Sequence, residues 1–294
     1  MKAFDYASPA TVADAVRALA GSDSGAALSG GTDLLGRMKD YVSSPERIVY
    51  LKGVRSLAGI EGGTEVGNGL TLGAGTRLVD IVASKEVAEK YPALRQATLE
   101  VGTPQIRNMA TLGGNLLQRP RCWYYRSGFG LLGMKDGKSL VRSGDNRYHA
   151  IFQTDGDALF VNPSSLAVPL IALGARATIV GKDGERTVAV EDLYRVPKTE
   201  DDRELTIAPG ELLTRVTIPA PRGKNASYEA RQKRAHDWPL VLCSVAVDLD
   251  GQTAKDARVV IYGVAPVPWR SRGAEQAIAG KALTPETAAA AGAA

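Results

Sequence analysis

The chain has 294 residues, of which 36 are basic and 32 acidic, so its formal net charge is only +4. A chain of this length can bury a sizeable core and suggests about two domains. The basic residues are scattered rather than gathered in a run, which gives no sign of a nucleic-acid surface, and no stretch reaches the roughly 18 apolar residues of a membrane span.

The chain contains only two cysteines and two histidines. Four cysteine ligands for an iron–sulfur cluster therefore cannot come from this chain alone, and any redox chemistry requires an organic cofactor or a partner's metal. The N-terminal residues show no apolar signal core, so the cytoplasm is the expected compartment. Export together with a signal-bearing partner would instead place the protein in the periplasm.

The N-terminal elements predict a small parallel strand–helix–strand unit. Helix-forming sequence over residues 8–20 precedes a short apolar strand at Ala26–Leu28. The turn Ser29-Gly30-Gly31-Thr32-Asp33 then leads into a helix over residues 34–41 and a strand over 47–51.

The middle of the chain continues the mixed pattern up to a segment, residues 119–150, that is basic, aromatic and weakly periodic. We interpret this segment as a long ordered loop or insertion, a length that is usually functional inside a compact domain. The flanking sequence predicts helices at 76–83, 93–101 and 164–173, strands at 70–72, 158–161 and 211–218, and a hairpin through Asp183-Gly184.

Residues 219–225 form the best linker candidate, and two β-branched strands at 240–248 and 257–264 follow it. These strands predict a smaller domain with an antiparallel sheet. Thr284-Pro285-Glu286 is a good helix start close to the last residue, so we expect the given sequence to end in the middle of a helix. The expected domains are residues 1–222, with subdomains at about 1–54 and 55–222, and residues 223–294.

Two glycine segments carry the clearest chemistry. In Ser29–Asp33, and again in Thr111-Leu112-Gly113-Gly114-Asn115, small residues allow close approach of a ligand and leave backbone amides for an anion such as a phosphate. Each segment alone is equally compatible with an ordinary tight turn. Two of them, about 80 residues apart, favour one elongated ligand such as a dinucleotide.

Other candidates are weaker. Gly73-Ala74-Gly75 begins like a Rossmann fingerprint, but Leu78 stands where the third glycine belongs. His149 and His236 are expected to be ordinary loop contacts and Cys243 a core residue, while Cys122 has no candidate base beside it in sequence.

Together these segments resemble the FAD subunit of the xanthine dehydrogenase, carbon monoxide dehydrogenase and aldehyde oxidoreductase family. The resemblance spans nearly the whole chain and is most specific over residues 103–116; Asn162-Pro163-Ser164 and Arg231-Gln232-Lys233 also match in order. It implies an α+β fold: a two-subdomain FAD-binding fold of the vanillyl-alcohol-oxidase type, followed by a small α+β C-terminal domain.

The resemblance also implies the cofactor and its contacts. FAD is expected to be bound non-covalently, with its pyrophosphate at Ala26–Asp33 and Thr111–Asn115. The positions implied to bind the cofactor are Ala26, Ala27, Leu28, Ser29, Gly30, Gly31, Thr32, Asp33, Val101, Thr111, Gly113, Gly114, Asn115, Ser165, Leu213 and Lys233. No catalytic residue and no metal ligand is assigned to this chain.

The sequence departs from the family pattern at three places. Some relatives bind a 4Fe-4S cluster through four cysteines in the insertion, but here only Cys122 matches, so no such cluster is expected on this chain. Ser165 stands where many relatives have an aspartate that contacts the ribityl chain. The lysine that some relatives place near the flavin has no direct match, and Lys233 is the candidate for that position.

The resemblance implies an electron relay within a heterotrimer. Electrons would pass from a molybdopterin-binding large subunit through the 2Fe-2S clusters of a small subunit to this FAD, and then to an external acceptor that the sequence does not identify. The alternatives are a stand-alone FAD-dependent oxidoreductase and a non-redox nucleotide-binding assembly module. The Arg- and aromatic-rich insertion either docks a partner subunit or packs on its own domain.

Overall fold

The computed structural model describes residues 1–22, 24–62, 69–221, 223–233 and 237–294. His236 lies outside these residues. The described helices are α1 Val12–Ala20, α2 Leu34–Lys39, α3 Leu78–Ala83, α4 Lys85–Lys90, α5 Pro92–Leu99, α6 Pro104–Met109, α7 Leu112–Leu116, α8 Trp123–Arg126, α9 Leu140–Ser143, α10 Ala167–Ala172, α11 Arg272–Ile278 and α12 Pro285–Ala293. The described strands are β1 Asp5–Ala7, β2 Gly25–Leu28, β3 Arg47–Tyr50, β4 Ile60–Gly62, β5 Leu70–Gly73, β6 Met134–Lys135, β7 Lys138–Ser139, β8 Arg176–Gly181, β9 Gly184–Ala189, β10 Leu212–Ile218, β11 Gly223–Ala230, β12 Val241–Asp250, β13 Thr253–Tyr262 and β14 Trp269–Arg270.

The N-terminal unit is a three-stranded parallel sheet in the order β1-β3-β2, with α1 and α2 as its connecting helices. This confirms the predicted parallel strand–helix–strand unit. The first helix starts later than predicted, at Val12, because Thr11 caps it by accepting a hydrogen bond from the Asp14 amide.

A five-stranded antiparallel sheet, β4-β5-β10-β8-β9, forms the centre of the molecule. Its buried side chains join those of α3, α5 and α10 in the main core, which includes Leu70, Leu72 and Leu78. The predicted hairpin is confirmed, since Gly181 pairs with Gly184. The predicted strand at 158–161 is wrong: these residues are buried by side-chain packing and do not join a sheet.

The insertion is more structured than the predicted loop. It holds α8, α9 and the two-residue strands β6 and β7. Its residues Tyr125, Leu131 and Leu132 form a small core together with Ala158 and Phe160, which follow the insertion in sequence.

The C-terminal region is the predicted antiparallel sheet, in the order β11-β12-β13-β14, with α11 and α12 packed on it. The predicted start of the last helix is confirmed, because the Thr284 side chain accepts from the Thr287 amide. In the described part of the chain, no helix has the length and apolar character needed to cross a bilayer.

Asn225 of β11 fastens the C-terminal sheet to α5. Its Oδ1 accepts from the Ala93 amide at 2.9 Å, and its Nδ2 donates to the Lys90 carbonyl at 3.1 Å. Because Ala93 lies in the first turn of α5, Asn225 caps this helix from a distant part of the chain.

We predict that Asn225→Ala lowers the free energy of unfolding by about 1 kcal/mol, the usual value of a helix N-cap. Urea denaturation of the full chain measures the change. Asn108→Ala, at an exposed position, is the control and should leave stability nearly unchanged. Equal stability of wild type and Asn225→Ala would show that the cap contributes nothing.

Candidate functional site

The first glycine segment connects β2 to α2 with unused hydrogen-bond donors. Gly31 has φ +74°, a left-handed conformation that favours glycine, and a Cβ there would lie 2.8 Å from Leu35 Cδ1. The amides of residues 30–33 donate no hydrogen bond to the described residues. Four N–H groups at a helix start are therefore available to an anion.

The fold brings the two glycine segments into contact. A Cβ on Gly30 would lie only 2.2 Å from the carbonyl oxygen of Met109, so the first turn packs directly on the chain that leads into Thr111. Both segments line one cavity of about 330 Å³. The predicted residues that line it are Ala26, Ala27, Leu28, Ser29, Gly30, Gly31, Thr32, Asp33, Thr111, Gly113, Gly114 and Leu213.

The second glycine segment contributes shape rather than donors. Thr111 caps α7, and the next amides are already bonded: Leu112 N to Thr76 O at 2.9 Å, Gly113 N to Ala74 O at 2.7 Å and Gly114 N to Thr111 Oγ1 at 3.3 Å. The prediction of free amides therefore holds for the first segment and is wrong for the second.

Gly114 is the position where the second segment faces open space. A Cβ there would have one neighbour within 4 Å among the described atoms, Thr111 Oγ1 at 3.1 Å. At Gly113, by contrast, a Cβ would press on Ala74 at 3.1 Å. The missing side chain at Gly114 thus keeps part of the cavity open, whereas Gly113 serves close packing.

Sequence reasoning missed several residues that line the cavity. Ala74 and Gly75 belong to the segment that was set aside as an incomplete Rossmann fingerprint, and the arginines Arg37, Arg119 and Arg203 had no recognisable motif. Only the tertiary structure shows that these segments converge.

Asp33 is an electrostatic hub. Its carboxylate accepts from Arg37 Nε at 3.0 Å, from Arg126 Nη2 at 2.7 Å and from the Arg119 amide at 3.2 Å, and Arg121 lies 3.5 Å away. Burial raises the pKa of Asp33, but the guanidinium groups of Arg37, Arg121 and Arg126 outweigh it and hold the pKa below its usual range. Asp33 therefore fixes the insertion to the glycine turn.

The remaining predicted cofactor residues lie outside the lining of this cavity. Asn115 is buried, and its Oδ1 accepts from Ser164 Oγ at 2.9 Å and from the Leu166 amide at 3.2 Å. Ser165 is buried next to this bond, Val101 packs against the main core, and Lys233 is exposed.

The structure supplies the partner that Cys122 lacked in sequence. His149 Nε2 lies 3.2 Å from Cys122 Sγ, inside a cluster with Trp123 and Tyr124. Burial raises the pKa of the Cys122 thiol and lowers the pKa of His149, so the neutral forms of both groups are favoured. Cys243 was predicted to be a core residue, but it is only partly buried and packs against the C-terminal core from its edge.

The aromatic residues of the insertion are largely used within the chain. Tyr125 is only 7% exposed and lies under the guanidinium groups of Arg119 and Arg126. Trp123 packs edge-on against Tyr148. These contacts favour the alternative in which the insertion packs on its own domain.

Comparison with known proteins agrees with this geometry. Residues 2–221 match the FAD binding domain in molybdopterin dehydrogenase, and residues 226–294 match the CO dehydrogenase flavoprotein C-terminal domain. The chain belongs to the family of FAD-binding medium subunits of molybdenum hydroxylases. The predicted family and α+β fold are confirmed, and the members of this family are subunits of oxidoreductase complexes.

Individual relatives cover almost the entire chain. The aldehyde oxidoreductase FAD-binding subunit PaoB of Escherichia coli (strain K12) is 32% identical over 94% of this chain and 86% of its own length. The carbon monoxide dehydrogenase medium chain of Afipia carboxidovorans is 29% identical over 95% of this chain and 81% of its own. The crystal structure of the cyanide-inactivated Cu,Mo-CO dehydrogenase superimposes with a TM-score of 0.75 at 27% identity, covering 99% of this chain and 85% of the other.

We predict that Asp33→Asn destabilises the chain by about 3 kcal/mol at pH 7, because it leaves buried arginines without their anion. The folded-state pKa of Asp33 is depressed, so its stabilisation is present above the unfolded pKa of about 3.9 and is lost as the pH falls through the folded pKa. Urea denaturation of wild type and variant should therefore show a difference that shrinks below about pH 4.

The matched control is Asp80→Asn, which removes an exposed ion pair with Arg77 and should change stability little at any pH. A difference between wild type and Asp33→Asn that stays constant down to low pH would contradict the assignment of Asp33 as an ionised hub.

Proposed function

We propose that the cavity between the glycine segments holds the pyrophosphate of FAD and that the chain relays electrons through this flavin. The observation that carries the proposal is the set of four free amides at residues 30–33, which share one cavity with glycine-lined space and three arginines. Free amides and guanidinium groups suit a phosphate, and the glycines let it approach the backbone.

FAD, when bound, supplies the electron-transfer chemistry, since it accepts and donates electrons in one- or two-electron steps. The chain's own residues bind and orient it. The first glycine turn donates hydrogen bonds, the Thr111–Gly114 segment shapes the cavity, and Asp33 holds the turn rigidly through its arginines.

The binding we propose is non-covalent. The described lining of the cavity contains neither cysteine nor histidine, the side chains that usually form covalent bonds to a flavin. Since Cys122 alone matches the cysteine ligands of some relatives, we also propose that this chain carries no 4Fe-4S cluster.

The partners we propose are a 2Fe-2S small subunit, which delivers electrons, and a molybdopterin-binding large subunit, which oxidises the substrate. Membership of the medium-subunit family supports this arrangement. We divide the chain at residues 222 and 223, where β10 has ended and β11 begins, into an FAD-binding part and a C-terminal domain.

The purified full chain tests the proposal. Acid precipitation should release one FAD per chain into the supernatant, and iron analysis should give a value near zero. Co-expression with the two proposed partners should yield a complex in which substrate reduces the flavin. A folded chain without flavin contradicts the FAD proposal, and colour retained in the acid pellet contradicts non-covalent binding. If the substrate of the complex reduces the flavin of the isolated chain, without the partner subunits, the relay proposal is contradicted.

We predict that Gly114→Val leaves the chain folded but largely free of flavin, because its side chain would occupy the cavity. The measurement is the flavin absorbance per chain after purification, with circular dichroism as the check on folding.

Gly36→Val is the control for this substitution. Gly36 is an exposed residue of α2, a Cβ there has no neighbour within 4 Å among the described atoms, and it does not line the cavity. Wild-type flavin content in Gly114→Val would argue against a ligand beside the second glycine segment.

A further inference from the structure

Arg203 is a cation of the cavity that forms no ion pair with the residues that the structure describes. It lines the same cavity as the glycine turn, and within the described residues no carboxylate oxygen lies within ion-pair distance of its guanidinium. Burial and the neighbouring charge of Arg119 lower the pKa of Arg203, and the nearby carboxylate of Glu204 offsets only part of this effect. A partly buried cation of this kind is costly for the fold unless an anion compensates it.

The surroundings of Arg203 already carry an excess of positive charge. Five arginines gather here, Arg37, Arg119, Arg121, Arg126 and Arg203, and the carboxylates that pair with four of them are Asp33 and Glu204. Glu211 also lines the cavity, but it is paired with Arg186. Asp33 is shared by Arg37, Arg121 and Arg126. Glu204, which is 2% exposed, is paired with Arg119. Asp33 is thus committed to other arginines. Glu204 pairs with Arg119 through Oε1, its Oε2 has no hydrogen-bond partner among the described residues, and it acts on Arg203 only through its nearby charge. The Arg203 guanidinium therefore remains available to a ligand.

The backbone around Arg203 is held in place. Its carbonyl oxygen accepts from Arg195 Nε at 2.7 Å, and the Arg195 amide donates to the Glu204 carbonyl at 3.0 Å. Leu205 pairs with Tyr194 in an isolated β-bridge. A fixed backbone keeps the Arg203 side chain at the cavity, so only side-chain freedom is lost when an anion binds.

We infer that Arg203 binds a phosphate group of the dinucleotide in this cavity. The inference rests on the proposed function, and it assigns the excess positive charge to the pyrophosphate. The guanidinium can donate two parallel hydrogen bonds to phosphate oxygens, while the free amides of residues 30–33 supply the other donors. Arg203 is therefore a positioning residue for the phosphates and takes no part in electron transfer.

The test uses the full chain freed of flavin and titrated with three probes: FAD, riboflavin, which lacks phosphate, and inorganic pyrophosphate as a competitor. Arg203→Gln should weaken FAD binding by about tenfold to a hundredfold, the usual effect of losing a hydrogen bond to a charged group. Riboflavin binding should not change, and pyrophosphate should no longer compete effectively.

Two further variants complete the design. Arg203→Lys keeps the charge but loses the paired donors, so its FAD affinity should lie between those of wild type and Arg203→Gln. Arg176→Gln removes an exposed arginine of β8 that does not line the cavity, and it should bind all three probes as wild type does. Equal urea midpoints of the flavin-free variants show that the fold is intact.

The outcomes separate this inference from the proposed function. Wild-type FAD affinity in Arg203→Gln overturns the role of Arg203 and leaves FAD binding standing. An equal loss of FAD and riboflavin also overturns it, because the effect would not depend on phosphate. If the wild-type chain binds pyrophosphate through Arg203 but binds no flavin, the proposed function fails while the phosphate site stands.

Discussion

The carboxylate of Asp33 is the interaction on which the candidate site depends. It lies at the start of α2, immediately after the glycine turn, and arginines of both α2 and the insertion converge on it. A single carboxylate thereby fixes the orientation of the turn whose amides face the cavity. Because a buried anion needs compensation and buried cations need it equally, the turn and the insertion stabilise each other.

The two glycine segments look alike in sequence, but their backbone amides have different roles. The amides of the first have no acceptor within the described chain, whereas those of the second are bonded to Thr76, Ala74 and Thr111. A glycine in the sequence indicates only that the backbone there can lie close to another group. At Gly30 the neighbouring group is Met109 and at Gly113 it is Ala74, so close packing of the protein on itself accounts for part of the motif.

The sequence was informative where the signal is local or where a family motif is specific. Alternating and apolar patterns predicted the parallel unit around β2 and β3 and the antiparallel sheet around β12 and β13. The apolar run at residues 158–161 led to the wrong prediction of a strand, because such a run can be covered by other side chains without joining a sheet.

The charges of the site could not be predicted in the same way. Arg126 is 93 residues from Asp33, and Arg119 is 85 residues from Glu204. No local pattern identifies such partners, and composition shows only that arginines are plentiful. The same holds for Cys122 and His149, which are 27 residues apart and meet only because the insertion folds back on itself.

The insertion contains only one cysteine, so its folded state depends on contacts other than the four-cysteine cluster site of some relatives. It contributes Tyr125, Leu131 and Leu132 to a small core that it shares with Ala158 and Phe160, and a core of that size gives little stability alone. The ion pairs of Arg121 and Arg126 with Asp33 add anchors to the main body, and Arg119 and Arg126 cover the ring of Tyr125. The groups that hold the insertion thus also order the glycine turn, which couples the folding of the insertion to the shape of the cavity between the two glycine segments.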